Sequence, residues 1–229
     1  MALREWVRLP TDWIIQEGGL RRFRWAQDTG SNNIAALMSL AVIAHHAEDE
    51  SGNARVTYDT FCTATSLSRA KIAGGLAVLE KLEIVSRNEL GRSGYGLANY
   101  RLQGGWGKLP ADGLYRGDRI DAFEAFHLRR AVELNALKIY FLVVAARNNK
   151  TNVAHIGYEK ISEHTGIAGN KIKPAISFLA VLSLVYVEQV PSKQSEYGIS
   201  HAYRLAHLDS YRHMGTTGRG LIGNEFISE

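Results

Sequence analysis

The stretch SGNARVTYDTFCTATSLSRAKIAGGLAVLEKLEIVSR, residues 51–87, recurs in altered form as TNVAHIGYEKISEHTGIAGNKIKPAISFLAVLSLVYV, residues 151–187. A constant offset of 100 pairs Tyr58 with Tyr158, Thr65 with Thr165, Lys71 and Ile72 with Lys171 and Ile172, Leu79 with Leu179, Leu82 with Leu182 and Val85 with Val185. The same offset reaches back to Trp6, Leu9, Pro10 and Asp12 against Trp106, Leu109, Pro110 and Asp112, and to Ala36 and Leu37 against Ala136 and Leu137. No gap is needed before Val85. Chance identities would not share one offset and also fall where periodicity asks for apolar residues, so the chain is expected to hold two copies of one fold. Two copies make a tandem protein, not a solenoid.

Within the first copy, Ile34, Leu37, Met38, Leu40, Ala41 and Ala44 lie at helical spacing, and the acidic stretch 48–52 ends that helix in a turn. After an extended piece at 55–57, Thr57 is placed to cap a helix over 58–64. Thr65, Ser66 and Leu67 form a turn, and Ser68 caps a third helix whose apolar face is Ile72, Leu76, Leu79 and Leu82. Two extended runs, 84–88 and 99–102, flank a loop of Gly91, Arg92, Ser93, Gly94, Tyr95 and Gly96.

The second copy repeats this: a helix over 134–147, an extended piece at 154–156, a helix over 158–164, the turn Thr165, Gly166 and Ile167, and a helix over 170–182. Its hairpin runs 185–190 and 201–205 across a loop at 191–198, and both hairpins are expected to close on Tyr-Arg-Leu, at 100–102 and 203–205. Pro174 stands where the first copy has Gly74; a proline deep in a helix removes a hydrogen bond, so a late start at an Asn170 cap or a local bend is expected. In the leader segments, 6–33 and 106–133, Trp13, Ile14, Leu20 and Phe23 suggest an added helix or strand pair, with Phe123 matching Phe23.

Three helices followed by a hairpin is the order of a winged helix. The predicted class is α+β: two tandem winged-helix domains over 1–104 and 105–210, each with its leader, and a polar, glycine-containing tail at 211–229 outside both cores. The single cysteine, Cys62, excludes an internal disulfide and fits a reducing cytoplasm. Its place in a helix suggests a small buried apolar role. Residues 1–10 lack the apolar core of a signal peptide, and the longest apolar run, 34–44, is too short to span a bilayer. A cytoplasmic, nucleoid-associated protein with no membrane partner is expected.

The net charge is +4, with 12 basic and 11 acidic residues in 1–102 and 15 and 12 in 103–229, so both halves are mildly basic. That permits nucleic-acid binding without requiring it. A winged helix lays its third helix in the DNA major groove and reaches a phosphate or the minor groove with its hairpin loop. The first copy offers Arg69 and Lys71 at that helix start and Arg92 in the loop. The second offers Asn170, Lys171, Lys173 and Lys193. Lysine and arginine there neutralise phosphates, while Arg69 or Asn170 is suited to a base edge. Arg21, Arg22 and Arg24, interleaved with Phe23 and Trp25, form a second basic candidate. For each of these the alternative is a solvated surface charge. Gly74, Gly75 and Ala77 cost helix stability but let another backbone approach, either DNA or a protein helix.

Enzymatic signals are weak. Gly218, Gly220 and Gly223 spell a dinucleotide fingerprint, yet no strand precedes them and only six residues follow. His45 and His46 are adjacent and diverge, and the other histidines lack a spaced carboxylate or cysteine partner. Neither cofactor nor metal nor catalytic residue is expected, and the protein is read as a non-enzyme.

With Ile156, Gly157, Tyr158, Ile161, Thr165, Gly166, Ile167, Ile172, Ala175, Ile176, Leu179, Leu182, Leu184 and Val185, the second copy resembles the winged-helix pattern of bacterial regulators and replication proteins. As a tandem pair the chain is similar in layout to plasmid replication initiators, whose two winged helices grip origin repeats and whose first domain often dimerises. The resemblance implies double-stranded DNA as partner, a homodimer, and contact with replication machinery. The same layout is shared by transcription regulators of mobile elements and by the kleisin-associated subunits of SMC complexes, which bind mainly protein.

Overall fold

A computed structural model describes residues 3–26, 29–88, 91–100, 104–191 and 199–208. Strand β1 (Trp6–Pro10) leads into a short helix α1 (Asp12–Ile15), a 3₁₀ turn (Gly19–Arg22) and the long helix α2 (Gly30–His45). Then come β2 (Asn53–Arg55), α3 (Tyr58–Thr65), α4 (Arg69–Lys81), β3 (Val85–Arg87) and β4 (Gly94–Leu97). The second half opens with β5 (Trp106–Pro110), a 3₁₀ turn (Asp112–Leu114), the hairpin β6 (Tyr115–Arg116) and β7 (Arg119–Ile120), and a second 3₁₀ turn (Asp121–Ala125). It continues with α5 (Ala131–Ala146), β8 (Ala154–His155), α6 (Tyr158–Thr165), α7 (Gly169–Val181), β9 (Val185–Pro191) and β10 (Ile199–Leu205). The chain is α+β, with small antiparallel sheets beside its helices.

Matched threonines build the turn between the second and third long helices of each half. Thr65 Oγ1 donates to the Phe61 carbonyl (2.7 Å) and accepts from the Leu67 amide (3.3 Å). Thr165 Oγ1 does the same with the Ile161 carbonyl (2.5 Å) and the Ile167 amide (3.3 Å). Both threonines are buried, so each satisfies groups that water no longer reaches. The turn residue after each is left-handed, Ser66 at φ 58° and Gly166 at φ 68°. Thr57 and Ser68 cap α3 and α4 through the amides of Thr60 (3.1 Å) and Lys71 (3.3 Å), as expected.

The core lies along α2 and α5. From Asn33 to His45, α2 is buried without a break, because α4 covers it on one side and α5 meets it from the other half. A helix buried all round has no polar stripe. At the α2–α4 crossing, a Cβ on Gly75 would lie 2.7 Å from the Ala35 carbonyl carbon, so only glycine lets the two backbones approach this closely. The backbone that Gly75 admits is therefore α2 itself. One continuous apolar cluster runs through both halves, from Val7 to Leu208.

The halves meet reciprocally. In the antiparallel β1–β5 ladder Trp6 faces Pro110, Pro10 faces Trp106, and Arg8 faces Lys108, its own match at the 100-residue offset. Thr11 donates its amide to the Gly105 carbonyl (2.9 Å), and Ala111 donates to the Glu5 carbonyl (2.9 Å), the same bond with the halves exchanged. The turn Gly19–Arg22 packs on α6, while β7, which contains the matching Arg119 and Ile120, packs on α3. Each leader thus covers the other half's helices. The leaders do contain the expected added helix and strand, but their strands pair with each other.

The structure corrects two sequence expectations. The returning strand of the first hairpin is Gly94–Leu97, and Asn99 and Tyr100, expected in that strand, follow it in a turn; Tyr95, expected in a loop, is fully buried with its ring edge-on to Phe61 (5.6 Å). Helix α7 starts at Gly169, with Ala168 as its cap residue, so Asn170 lies inside the first turn and Pro174 inside the helix. Cys62 is half-buried against the core. Arg101, Leu102, the loop 192–198 and the tail from 209 lie outside the described residues.

Candidate nucleic-acid interface

The start of α7 is the most open basic surface of those anticipated. Asn170, Lys171 and Lys173 are all exposed, and among the described residues their side chains have no hydrogen-bond or ion-pair partner. The Thr165 turn projects this helix start outward, and Ile172, Ala175, Ile176 and Leu179 bury the opposite face. The first-turn amides, with Lys171 and Lys173 on either side of the buried Ile172, give this helix start a positive charge that suits phosphates.

At the start of α4 the matching cations are engaged. Arg69 is exposed and its Nη2 lies 2.5 Å from Asp59 Oδ1 on α3. Lys71 Nζ donates to Ser31 Oγ on α2 (2.7 Å) and is half-buried. A cleft of about 460 Å³ borders this helix start, with Ser66, Ser68 and Lys71 on one wall and Phe126, His127 and Arg129 of the second leader on the other. Arg92 lies in the turn Gly91–Ser93, of which only its backbone is described, and Lys193 falls outside the described residues.

The arginine trio divides by role. Arg22 Nη1 donates to the Leu82 carbonyl (3.1 Å) at the end of α4, holding a carbonyl the helix leaves open. Arg21 passes over Gly166 at the end of α6, with its Cγ 3.6 Å from where a Cβ would stand. Arg24 is exposed. Behind them Lys138, buried in α5, donates to the Phe23 carbonyl (3.0 Å). Burial, and then the charges of Arg24 and Arg21, push its ammonium down to about 8. Arg21 lies beside α6, where its charge acts on Glu163, and the charge of Arg24 acts on Lys138 of α5.

Sequence reasoning missed the exposed side of the β1–β5 ribbon. Trp6 and Trp106 stack at 6.0 Å and 19°, Arg8 Cζ lies 5.3 Å from the Trp106 ring centre, and Lys108 Nζ lies 4.7 Å from that of Trp6. The repeat held the signal, since the tryptophans, leucines and prolines of the two leaders match.

His45 joins the halves: its Nε2–H donates to the Pro110 carbonyl (2.9 Å), which fixes the tautomer, so Nδ1 accepts from the Tyr115 hydroxyl (2.9 Å). Desolvation pushes its pKa down to about 3. Among the described residues no cluster of three or more His, Cys, Asp or Glu is placed to hold a metal, and no helix is long and apolar enough to cross a membrane. The glycines of the tail fingerprint lie outside the described residues.

No protein-family model, curated protein or solved structure matches the chain.

Proposed function

We propose that the two halves are tandem winged helices and that the protein is a non-enzymatic binder of double-stranded DNA, acting as a replication initiator or transcription regulator of a plasmid, phage or other mobile element. The observation that carries this reading is the start of α7, where Asn170, Lys171 and Lys173 stand exposed and unpaired among the described residues. The element order supports it: helix, short strand, helix, tight turn, helix and hairpin occur in both halves. In a winged helix the third of these helices enters the major groove, which assigns that role to α7 and α4.

The test is a salt titration of binding between the full chain and labelled duplex from its own locus, with random duplex as competitor. The expected result is competition-resistant binding whose affinity falls steeply with salt. Weak binding indifferent to sequence would set this reading aside.

A second reading, a protein-binding subunit of the kleisin-associated kind, is favoured by the corner between α7 and β9. Val181, Tyr186 and Val187 are exposed there at 82%, 49% and 39%, while the matching positions of the first half carry Lys81, Ser86 and Arg87. Exposed apolar side chains at one copy of a repeated corner suit a protein contact.

A further inference from the structure

We infer that one chain carries its own dyad, so that its DNA target is a single imperfect inverted repeat, with α4 reading one half-site and α7 the other. The inference rests on the DNA-binding reading above and adds the orientation of the half-sites and the number of chains that read them.

The argument starts from the ribbon. Two domains related by translation along a chain present matched surfaces in the same direction and suit direct repeats. Here a residue pairs with its own match, Arg8 with Lys108, in an antiparallel ladder. That register requires a local two-fold axis between them, the signature of an isologous contact. The exchanged pairs extend the axis beyond the ribbon: Thr11 with Gly105 against Glu5 with Ala111, and the Gly19–Arg22 turn on α6 against β7 on α3. Helices α2 and α5, matched at the same offset, meet each other.

A two-fold axis leaves the component of every vector along it unchanged. The exposed starts of α4 and α7, at Arg69 and Gly169, therefore face the same way along the axis and run oppositely across it. Two-fold related recognition helices in this arrangement read half-sites of opposite orientation.

Because α4 offers Arg69 and Lys71 where α7 offers Gly169 and Lys171, with Asn170 and Lys173 beside them, the two half-sites differ in sequence. The homodimer expected from the resemblance to initiators is not needed to supply the symmetry.

The experiment is selection of a randomised duplex library with the full chain, followed by sedimentation of the enriched duplex at saturating protein. Enriched sequences are expected to hold two dissimilar half-sites in inverted orientation, with centres about 10 base pairs apart and one chain per duplex. Flipping one half-site in place is expected to weaken binding about tenfold or more, the loss a single mismatched pair brings. The substitution R69A should erase preference in one half-site and N170A in the other. Half-sites in direct orientation, or two chains on an inverted site, would overturn the dyad and leave DNA binding standing. Failure to enrich any sequence would overturn the DNA-binding reading as well.

Discussion

Arg8 stands directly opposite Lys108 in the β1–β5 ladder, at the point where the two halves of the chain meet. Like charges facing each other across an antiparallel pair repel, and the indoles of Trp106 and Trp6 offset this by each taking up one cation. The two rings also stack on each other. Trp6→Ala and Trp106→Ala should each destabilise the fold by about 2 kcal/mol, below the range for a fully buried tryptophan because both rings are half-exposed. The double variant should fall short of the sum by about 1 kcal/mol, the worth of an aromatic pair. Urea midpoints of the four proteins measure this cycle, and strict additivity would remove the ring contact from the joint between the halves.

At the candidate interface the two halves should respond differently to charge. Replacing Lys171 and Lys173 together by alanine removes two exposed cations, so the slope of log affinity against log salt should fall by about 1.8 if each meets a phosphate. Arg69 is held by Asp59 instead. Asp59→Asn removes a carboxylate that competes with phosphate for the guanidinium. An exposed ion pair is worth at most about 1 kcal/mol, so affinity should rise two- to fivefold, by about that amount or less. Fluorescence anisotropy on one duplex across a salt series reads both effects, and an unchanged slope in the lysine variant would take α7 off the DNA.

The two shorter helices of each half and the turn between them were legible because Thr65 and Thr165, Ile72 and Ile172, and Leu79 and Leu179 hold matched places in turn and core. The hairpins misled. Tyr-Arg-Leu at 100–102 looks like the counterpart of 203–205, but ladder register decides otherwise: Tyr95 faces Ala54 and Arg87, and Tyr203 faces Ala154 and Val187. The match of Tyr203 is therefore Tyr95, followed by Gly96 and Leu97, and the first hairpin is shorter than the second. Identity of three letters carried less information than the buried partner each strand needs. Pro174 suggests a late start or a local bend, because its missing amide is harmless only in the first turn; α7 starts at Gly169 and carries the proline inside it. The candidate lysines were visible as charges. Their state was not, since the engagement of Lys71 depends on Ser31, 40 residues away, while Lys171 has no such partner among the described residues. Nor could periodicity reveal that β1 pairs with β5, because a strand's partner is not encoded in its own alternation.

His45 predicts an acid sensitivity. Its folded pKa, about 3, lies below the ordinary 6.5, so the fold holds the neutral ring while the unfolded chain takes up a proton. The stability this contributes is complete above about pH 6.5 and is lost as pH falls from there towards 3, at about 1.4 kcal/mol per pH unit. Protonation would also place a donor at Nδ1, where the Tyr115 hydroxyl now donates. Melting temperatures from pH 7.5 to 4.5 should fall more steeply for the native chain than for His45→Gln, which is expected to be less stable at pH 7.5. Parallel profiles would show that His45 is not the group being titrated.

The glycine pair in α4 separates a packing role from a merely helical one. A Cβ on Gly75 would meet backbone, 2.7 Å from the Ala35 carbonyl carbon and the Ala36 nitrogen, whereas a Cβ on Gly74 would meet the Asn32 side chain at 2.8 Å. Alanine in a helix gains about 1 kcal/mol over glycine. For Gly75→Ala, forcing α2 and α4 apart should cost about 1–3 kcal/mol, enough to cancel that gain and leave a net loss of up to about 2 kcal/mol. For Gly74→Ala the Asn32 side chain can rotate away, so stability should stay level or rise by up to about 1 kcal/mol. Thermal denaturation of the two variants side by side makes the comparison. If Gly75→Ala proved as stable as Gly74→Ala, the close approach of α2 and α4 would not be what holds glycine at that position.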